Sequence, residues 1–303
     1  MSEQRFAHLL TLPLAVVLFA VVIFPVLYSL YMSFTNINEL TGVNSFAGIQ
    51  NYIDALTSSE TWTATLKTFV YVFWLTLFSG GIALFGALVL NEKFRGRGLA
   101  TALVILPWAV SLYAAAVIWR YMYSQQFGMF NAILGAVGLP SDVNFITPTS
   151  ALPLIALAHA WEYSPLGIYF MLATLQFIPA DLYNLARTDR LSAWGRFRHV
   201  TLPYLKTPLL IFLILVTAEA TKGFEIAYFI SGGGPGTSST HLVFLLYKET
   251  FVNLNLSYGA ALSWILLVLV TVITLGYFWV LMRGQKKDPA EDGANSADAR
   301  AGE

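Results

Sequence analysis

Glu162 is a carboxylate set inside a hydrophobic run, in His159-Ala160-Trp161-Glu162-Tyr163-Ser164-Pro165 within 151–177. It lies about eleven residues in, roughly 17 Å along a helix and close to the middle of a bilayer. A charge at that depth is costly and marks a functional position by default. With Trp161 and Tyr163 beside it, the chemistry it suits is recognition: an aromatic face for a ring and an acceptor for hydroxyl groups. Pro165 withholds an N–H and favours a kink one turn earlier. The plain alternative is a carboxyl group that is paired or protonated and serves packing. A second polar set, Glu219, Lys222 and Glu225, falls at i, i+3 and i+6 of another apolar run. Lys222 can reach either carboxylate along a helix. The set either neutralises itself or lines the outer half of a polar pathway.

A third group of residues is basic and lies between two apolar runs, at 178–203. Pro179 suits a first helical turn. Leu182, Leu185, Ala186 and Asp189 then share one face at i, i+3, i+4 and i+7. Arg190 makes a turn, Ser192 caps a second short helix carrying Trp194, Phe197 and Val200, and Leu202-Pro203 redirects the chain. A loop that only supplied positive charge would need no Leu185 or Trp194. A helical hairpin with an apolar face fits a groove on a partner.

The elements that must position these residues are membrane helices. Hydrophobic residues make up 57% of the 303-residue chain and charged residues 11%, which excludes an ordinary soluble domain. Six runs reach bilayer-spanning length, at roughly 9–34, 66–90, 99–121, 151–177, 203–230 and 257–282. Their continuity excludes the period-two pattern of a barrel. Six crossings place Arg5, Lys93, Arg95, Arg97, Arg187, Arg190, Arg196, Arg198, Lys206, Arg283, Lys286, Lys287 and Arg300 on one side. Lys67, Arg120, Lys222 and Lys248 fall on or toward the other, with Lys67 and Arg120 expected to snorkel to the interface. The positive-inside rule then puts both termini and the 178–203 insert in the cytoplasm.

The first run is longer than the core of a signal peptide and reads as a retained span. Outer loops are expected at 36–65, with a short amphipathic helix across 46–56, at 122–150, with a brief helix, and at 231–256. The last opens on Ser231-Gly232-Gly233-Gly234-Pro235-Gly236, which no helix survives. The domain division is an N-terminal cytoplasmic tail at 1–8, a membrane domain at 9–285, and a small, polar, disordered tail at 286–303.

Several chemistries are absent from the sequence. There is no cysteine for thiol catalysis or disulfides. The Gly232–Gly236 run lacks the strand-loop-helix context and the Lys-Ser/Thr of a phosphate cradle, and no Walker motif occurs elsewhere. His159 and His241 lack companion ligands at metal spacing. Ser79-Gly80 lacks the glycine two residues earlier that an intramembrane protease would carry, position 77 being Leu. No internal repeat marks a self-sufficient secondary carrier, the alternative reading of a polytopic protein with intramembrane charges.

Asn184-Leu185-Ala186, Asp189-Arg190 and Leu202-Pro203 resemble the "EAA" loop of permease subunits in binding-protein-dependent ABC importers. Leu106-Pro107-Trp108, Trp119-Arg120, Phe127–Asn131, Phe224-Glu225, Gly232–Gly236 and Tyr258–Ala261 are similar to other segments of that family. The likeness covers about residues 10–283 and is closest to the carbohydrate-importing, maltose-type members. The family motif usually opens Glu-Ala-Ala and has glycine after the Asp, where this chain has Arg190. A side chain in that left-handed turn costs on the order of 1 kcal/mol.

The resemblance implies an all-α, six-helix type I importer transmembrane domain with no enzymatic activity of its own, in the bacterial cytoplasmic (inner) membrane. It implies a second, homologous permease, two ATP-binding cassette ATPases that hold ATP and Mg, an extracytoplasmic solute-binding protein, and no nucleic acid. The substrate would be a sugar, sugar derivative or polyol, moved by alternating access. Leu182, Asn184, Leu185, Ala186, Asp189, Arg190 and Leu191 would dock on an ATPase. Trp161, Glu162 and Tyr163, with Glu219, Lys222 and Glu225, would contact substrate.

Overall fold

Among the described residues the chain forms fifteen α-helices and one hairpin. The computed structural model describes residues 3–38, 43–221 and 223–285, with side chains placed over 11–37, 44–221 and 223–279. Lys222 and the tail 286–303 lie outside the described residues. Helices α1 (Glu3–Leu18) and α2 (Phe24–Ser33) join through a π-turn at Phe19–Ile23. Strands β1 (Thr35–Asn38) and β2 (Val43–Phe46) pair antiparallel, and α3 (Gln50–Thr57) and α4 (Ser59–Asn91) follow. Next come α5 (Arg97–Val104), α6 (Leu106–Ala109), α7 (Leu112–Met122), α8 (Met129–Ala136) and α9 (Ala151–Phe177). The chain continues through α10 (Ala180–Thr188), α11 (Ala193–Arg196), a π-turn at Phe197–Thr201, α12 (Leu202–Ala220) and α13 (Phe224–Ser231). It ends with α14 (Leu242–Tyr247), a π-turn at Lys248–Val252 and α15 (Leu256–Gln285).

Among the described residues, four helical stretches are each long and apolar enough to cross a membrane: Thr11–Ser33, Ser59–Asn91, Ala193–Ala220 and Leu256–Trp279. Two bent pairs bring the number to six when each counts as one span: Arg97–Ala109 with Leu112–Met122, bent by 100°, and Ala151–Phe177 with Ala180–Thr188, bent by 71°. The third expected run is therefore not one straight helix. Val110 and Ser111 are extended, and the Ser111 hydroxyl accepts from the Ala114 N–H at 3.3 Å, starting α7 afresh.

The fifth run is also corrected. It breaks at Thr221–Gly223, where backbone bonds tighten to Ala218 and Ala220 and α12 ends. At its other end Leu202-Pro203 does not redirect the chain, because Ala193–Ala220 is continuously helical. Pro203 has no N–H to give, and the π-turn before it shifts the register, the Leu202 N–H reaching the Phe197 carbonyl. Pro25 follows its own π-turn in the same way, with the Phe24 N–H on the Phe19 carbonyl.

Two compact units arise, Met1–Phe69 with Ser239–Val268, and Val70–Ser238 with Leu269–Glu303. In the first, Asn51 donates to the Ser33 and Thr35 carbonyls at 2.9 and 2.8 Å and holds α3 beneath the hairpin. The Ile37 N–H donates to Ser257 Oγ, the Leu242 N–H to Thr68 Oγ1, and the Thr61 and Tyr258 hydroxyls meet at 3.0 Å. The hairpin, and the helix α14 inside the expected loop 231–256, carry no long hydrophobic period and were not foreseen.

His241 begins α14, fully buried, its Nδ1–H donating to the Ser239 carbonyl at 3.1 Å. Burial pushes its imidazole down to about 4. A buried neutral imidazole must take up a proton on unfolding below pH 6.5, so its contribution to stability is whole above 6.5 and lost as pH falls toward 4. The melting midpoint of the purified protein is expected to drop across that interval, and His241→Asn to flatten the drop.

In the second unit α9 is the central helix, packing against α6, α7, α12 and α13. It buries residues on every side, among them Ile155, His159, Glu162, Ile168 and Met171, as an all-round apolar sequence should. Its C-terminal end leads through Pro179 into the 178–203 insert.

Candidate functional site

Four elements of the second unit bring the polar side chains together. Tyr71 of α4 is fully buried and shares a 2.6 Å hydrogen bond with His159 Nδ1 of α9, their rings 6.2 Å apart. One turn on, Glu162 is 9% exposed. Among the described residues its carboxylate has no hydrogen-bond or ion-pair partner. Glu219, half-buried near the end of α12, is close enough for its charge to act on Glu162 and on the Tyr71 and Tyr163 hydroxyls.

Aromatic rings frame this cluster. Trp161 meets Trp119 of α7 edge-to-face, centroids 5.9 Å apart at 71°. Tyr163 stacks on Phe212 of α12 at 6.1 Å and 12°. The Trp119 indole N–H is buried with no acceptor among the described residues. An unmatched donor on one ring and an unmatched carboxylate beside its partner ring are what a polyhydroxylated solute satisfies together, since each hydroxyl both donates and accepts.

The sequence-derived set is therefore partly assembled. Glu219 lies within electrostatic reach of Glu162 and Tyr163, Trp161 packs instead on Trp119 of α7, and Lys222 lies outside the described residues. Glu225 does not continue the helix of Glu219 but opens α13 as an exposed residue beyond the break. Tyr71, Trp119 and Phe212 were missed, since an aromatic residue inside an apolar span gives no signal by type alone. Gly223 shows why the break matters. A Cβ there would stand 2.7 Å from the Tyr71 hydroxyl and 3.0 Å from its ring. Gly223→Ala is expected to cost about 1–3 kcal/mol through overpacking. Thermal unfolding checks this, and adding Tyr71→Phe is expected to recover part of the loss.

The insert forms a separate surface. Helix α10 ends in a left-handed residue, Arg190 at φ 55°, with the Arg190 N–H on the Arg187 carbonyl and the Leu191 N–H on the Ala186 carbonyl. This is the Schellman arrangement with an arginine in the usual glycine position. Ser192 Oγ accepts from the Gly195 N–H, Arg196 Nη1 donates to the Leu191 carbonyl, and the Tyr183 and Thr201 hydroxyls tie α10 to the π-turn. Ala186 is buried against this frame and Leu182 and Leu191 are half-buried. Asn184, Leu185, Asp189, Arg190 and Trp194 point outward, Leu185 and Trp194 at 61% and 68% exposure.

Residues 4–283 match the family of binding-protein-dependent transport system inner membrane components. The chain belongs to that family. It is a multi-pass permease subunit of an ABC importer, which sets aside the secondary carrier. The permease is 36% identical over 280 residues to the trehalose/maltose transport system permease protein MalF of Thermococcus litoralis, across 92% of this chain and 94% of that one. It is 30% identical over 286 residues to the sulfoquinovosyl glycerol transport system permease protein SmoG of Agrobacterium fabrum, across 93% and 92%. Its fold is similar to that of a chain in the crystal structure of a bacterial alginate ABC transporter in complex with an alginate pentasaccharide-bound periplasmic protein. That match has a TM-score of 0.75 at 20% identity, over 91% and 93% of the two chains. It gives the architecture, a type I importer transmembrane domain.

Proposed function

We propose that this permease carries a sugar, sugar derivative or polyol, and that Trp161, Glu162, Tyr163 and Glu219 form the part of its path that touches the solute. The observation that carries the reading is the uncommitted Glu162 carboxylate beside the Trp161–Trp119 pair. The names of the relatives, which concern trehalose, maltose and sulfoquinovosyl glycerol, support the same substrate class.

The permease pairs with a second, homologous one and receives solute from an extracytoplasmic binding protein. It sits on two ATPase subunits that hold ATP and Mg, so hydrolysis belongs to those partners. The basic ends of the spans support a cytoplasmic position for both termini and the 178–203 insert, in a bacterial inner membrane. Closure of the ATPases moves the insert, and the cluster around Glu162 changes from inward to outward exposure. The exposed Leu185 and Trp194 are the apolar contacts that an ATPase cleft would cover.

The test is gentle purification from native membranes, followed by reconstitution of whatever copurifies into vesicles with radiolabelled trehalose and maltose. A second permease and an ATPase in the preparation, with ATP-dependent uptake of either sugar, is the expected result. A solitary protein that equilibrates solute without ATP overturns it.

A further inference from the structure

A cavity lies at the other end of α9 from the insert, and none of Trp161, Glu162, Tyr163 and Glu219 lines it. It has a volume of about 750 Å³ and opens where α7 ends, among the loop after it and the last turn of α13. Its wall is aromatic and hydrogen-bonding at once. Tyr113 and Phe229 meet edge-to-face, centroids 4.6 Å apart at 86°, with Phe127 at the rim. Arg120, expected to snorkel away, instead lines the cavity and spends one N–H on the Phe229 carbonyl at a long 3.4 Å. A guanidinium has five N–H donors, so most of the fork is uncommitted. The Gln126 and Asn144 amides also line the space and, among the described residues, make no hydrogen bond. No acidic side chain does so among the described residues.

The loops around this space are built rather than slack. Asn131, 3% exposed, donates to the Ser124, Gln125 and Val143 carbonyls and accepts from the Val143 N–H, clamping the two rims together. Gln125 donates to the Asp142 carbonyl at 2.7 Å. Gly128 turns so tightly that a Cβ there would collide with the Ser124 carbonyl oxygen. The Tyr123 hydroxyl donates to the Leu154 carbonyl and anchors the loop to the first turn of α9. Fixed loops around a concave site with convergent, unused donors are the mark of a ligand site, and the volume lies within the range of pockets that enclose small molecules.

The geometry points to a second carbohydrate subsite here, one that takes one or two sugar rings before they reach Glu162. Flat rings offer the apolar faces of a pyranose a surface, while Arg120, Gln126 and Asn144 meet its hydroxyls. This rests on the substrate class proposed above but not on the Glu162 cluster. In the proposed orientation the cavity opens to the side from which solute arrives.

The experiment is equilibrium binding of tritiated maltose and trehalose to the complete transporter in lipid nanodiscs, with its own partner permease and ATPases and without the binding protein. Saturable binding by the unaltered complex is expected. Arg120→Gln and Phe127→Ala are each expected to weaken one class of site at least tenfold, while Glu162→Gln leaves that class unchanged. Phe127 is 83% exposed, so its truncation leaves the fold intact if Arg120→Gln does not. Full binding by both cavity variants overturns the subsite, as does a complex that binds neither sugar. Loss in the cavity variants with every class of site untouched by Glu162→Gln overturns the midplane reading alone and upholds the subsite.

Discussion

Glu162→Leu is expected to reduce sugar uptake by roughly 10–150-fold while the permease still assembles with its partners. The magnitude follows from one or two lost hydrogen bonds to a charged acceptor, about 1.5–3 kcal/mol in total, at 1.4 kcal/mol per tenfold. Assembly survives because the carboxylate has no partner among the described residues, so its removal orphans nothing within them. Glu162→Gln keeps the shape and one acceptor and is expected to lose less. The competing role for Glu162 is packing, and it predicts the opposite: an apolar isostere would then be neutral or stabilising, with uptake intact. Uptake by vesicles containing each variant, alongside the amount of ATPase that copurifies, separates the two.

The second large effect belongs to the insert. Leu185→Asp combined with Asp189→Lys is expected to weaken ATPase association at least about 100-fold and to abolish uptake. A Leu side chain covered by a partner contributes about 1.5–3 kcal/mol. A carboxylate put in its place adds the cost of desolvating a charge, and 2.7 kcal/mol already corresponds to about 100-fold. Both residues are exposed, so the permease itself folds normally. Unchanged copurification of the ATPase together with unchanged uptake removes the insert from the coupling role.

The parts of this arrangement that could be read from the sequence are those where one residue announces its own constraint. Glu162 stands out because a charge inside an apolar run is costly, and the fold does bury it. Ser192 forecasts a cap and becomes one, and Arg190 occupies the turn where a glycine was missing. The break at Val110-Ser111 was not legible, because hydropathy registers side chains and this is a backbone event inside an apolar run. The break between Ala220 and Phe224 falls where Glu219, Thr221, Lys222 and Gly223 interrupt the run, a signal read instead as a polar helical face. That is also why Glu225 was grouped with Glu219. Tyr71 was invisible for a different reason. Its meaning comes from His159, 88 positions away, and from a glycine that lets its ring lie against the end of α12. The hairpin at 35–46 is too short for any period to show.

Trp194 and Glu219 stand on one uninterrupted stretch of helix, about 25 residues and therefore about 38 Å apart. The exposed indole and the half-buried carboxylate are thus the two ends of a lever. Pivoted near either end and tilted by about 5°, such a rod sweeps its far end through about 3 Å. That angle is small beside the scatter tolerated between packed helices, whereas the sweep exceeds the whole range over which a hydrogen bond holds. Two softer links lie along the rod: the π-turn at Phe197–Thr201, next to the end that bears Trp194, and Pro208 inside α12, which withholds an N–H. Motion entering beyond Pro208 reaches Glu219 undivided, and a nudge too slight to disturb a core is enough to make or break contact with a hydroxyl.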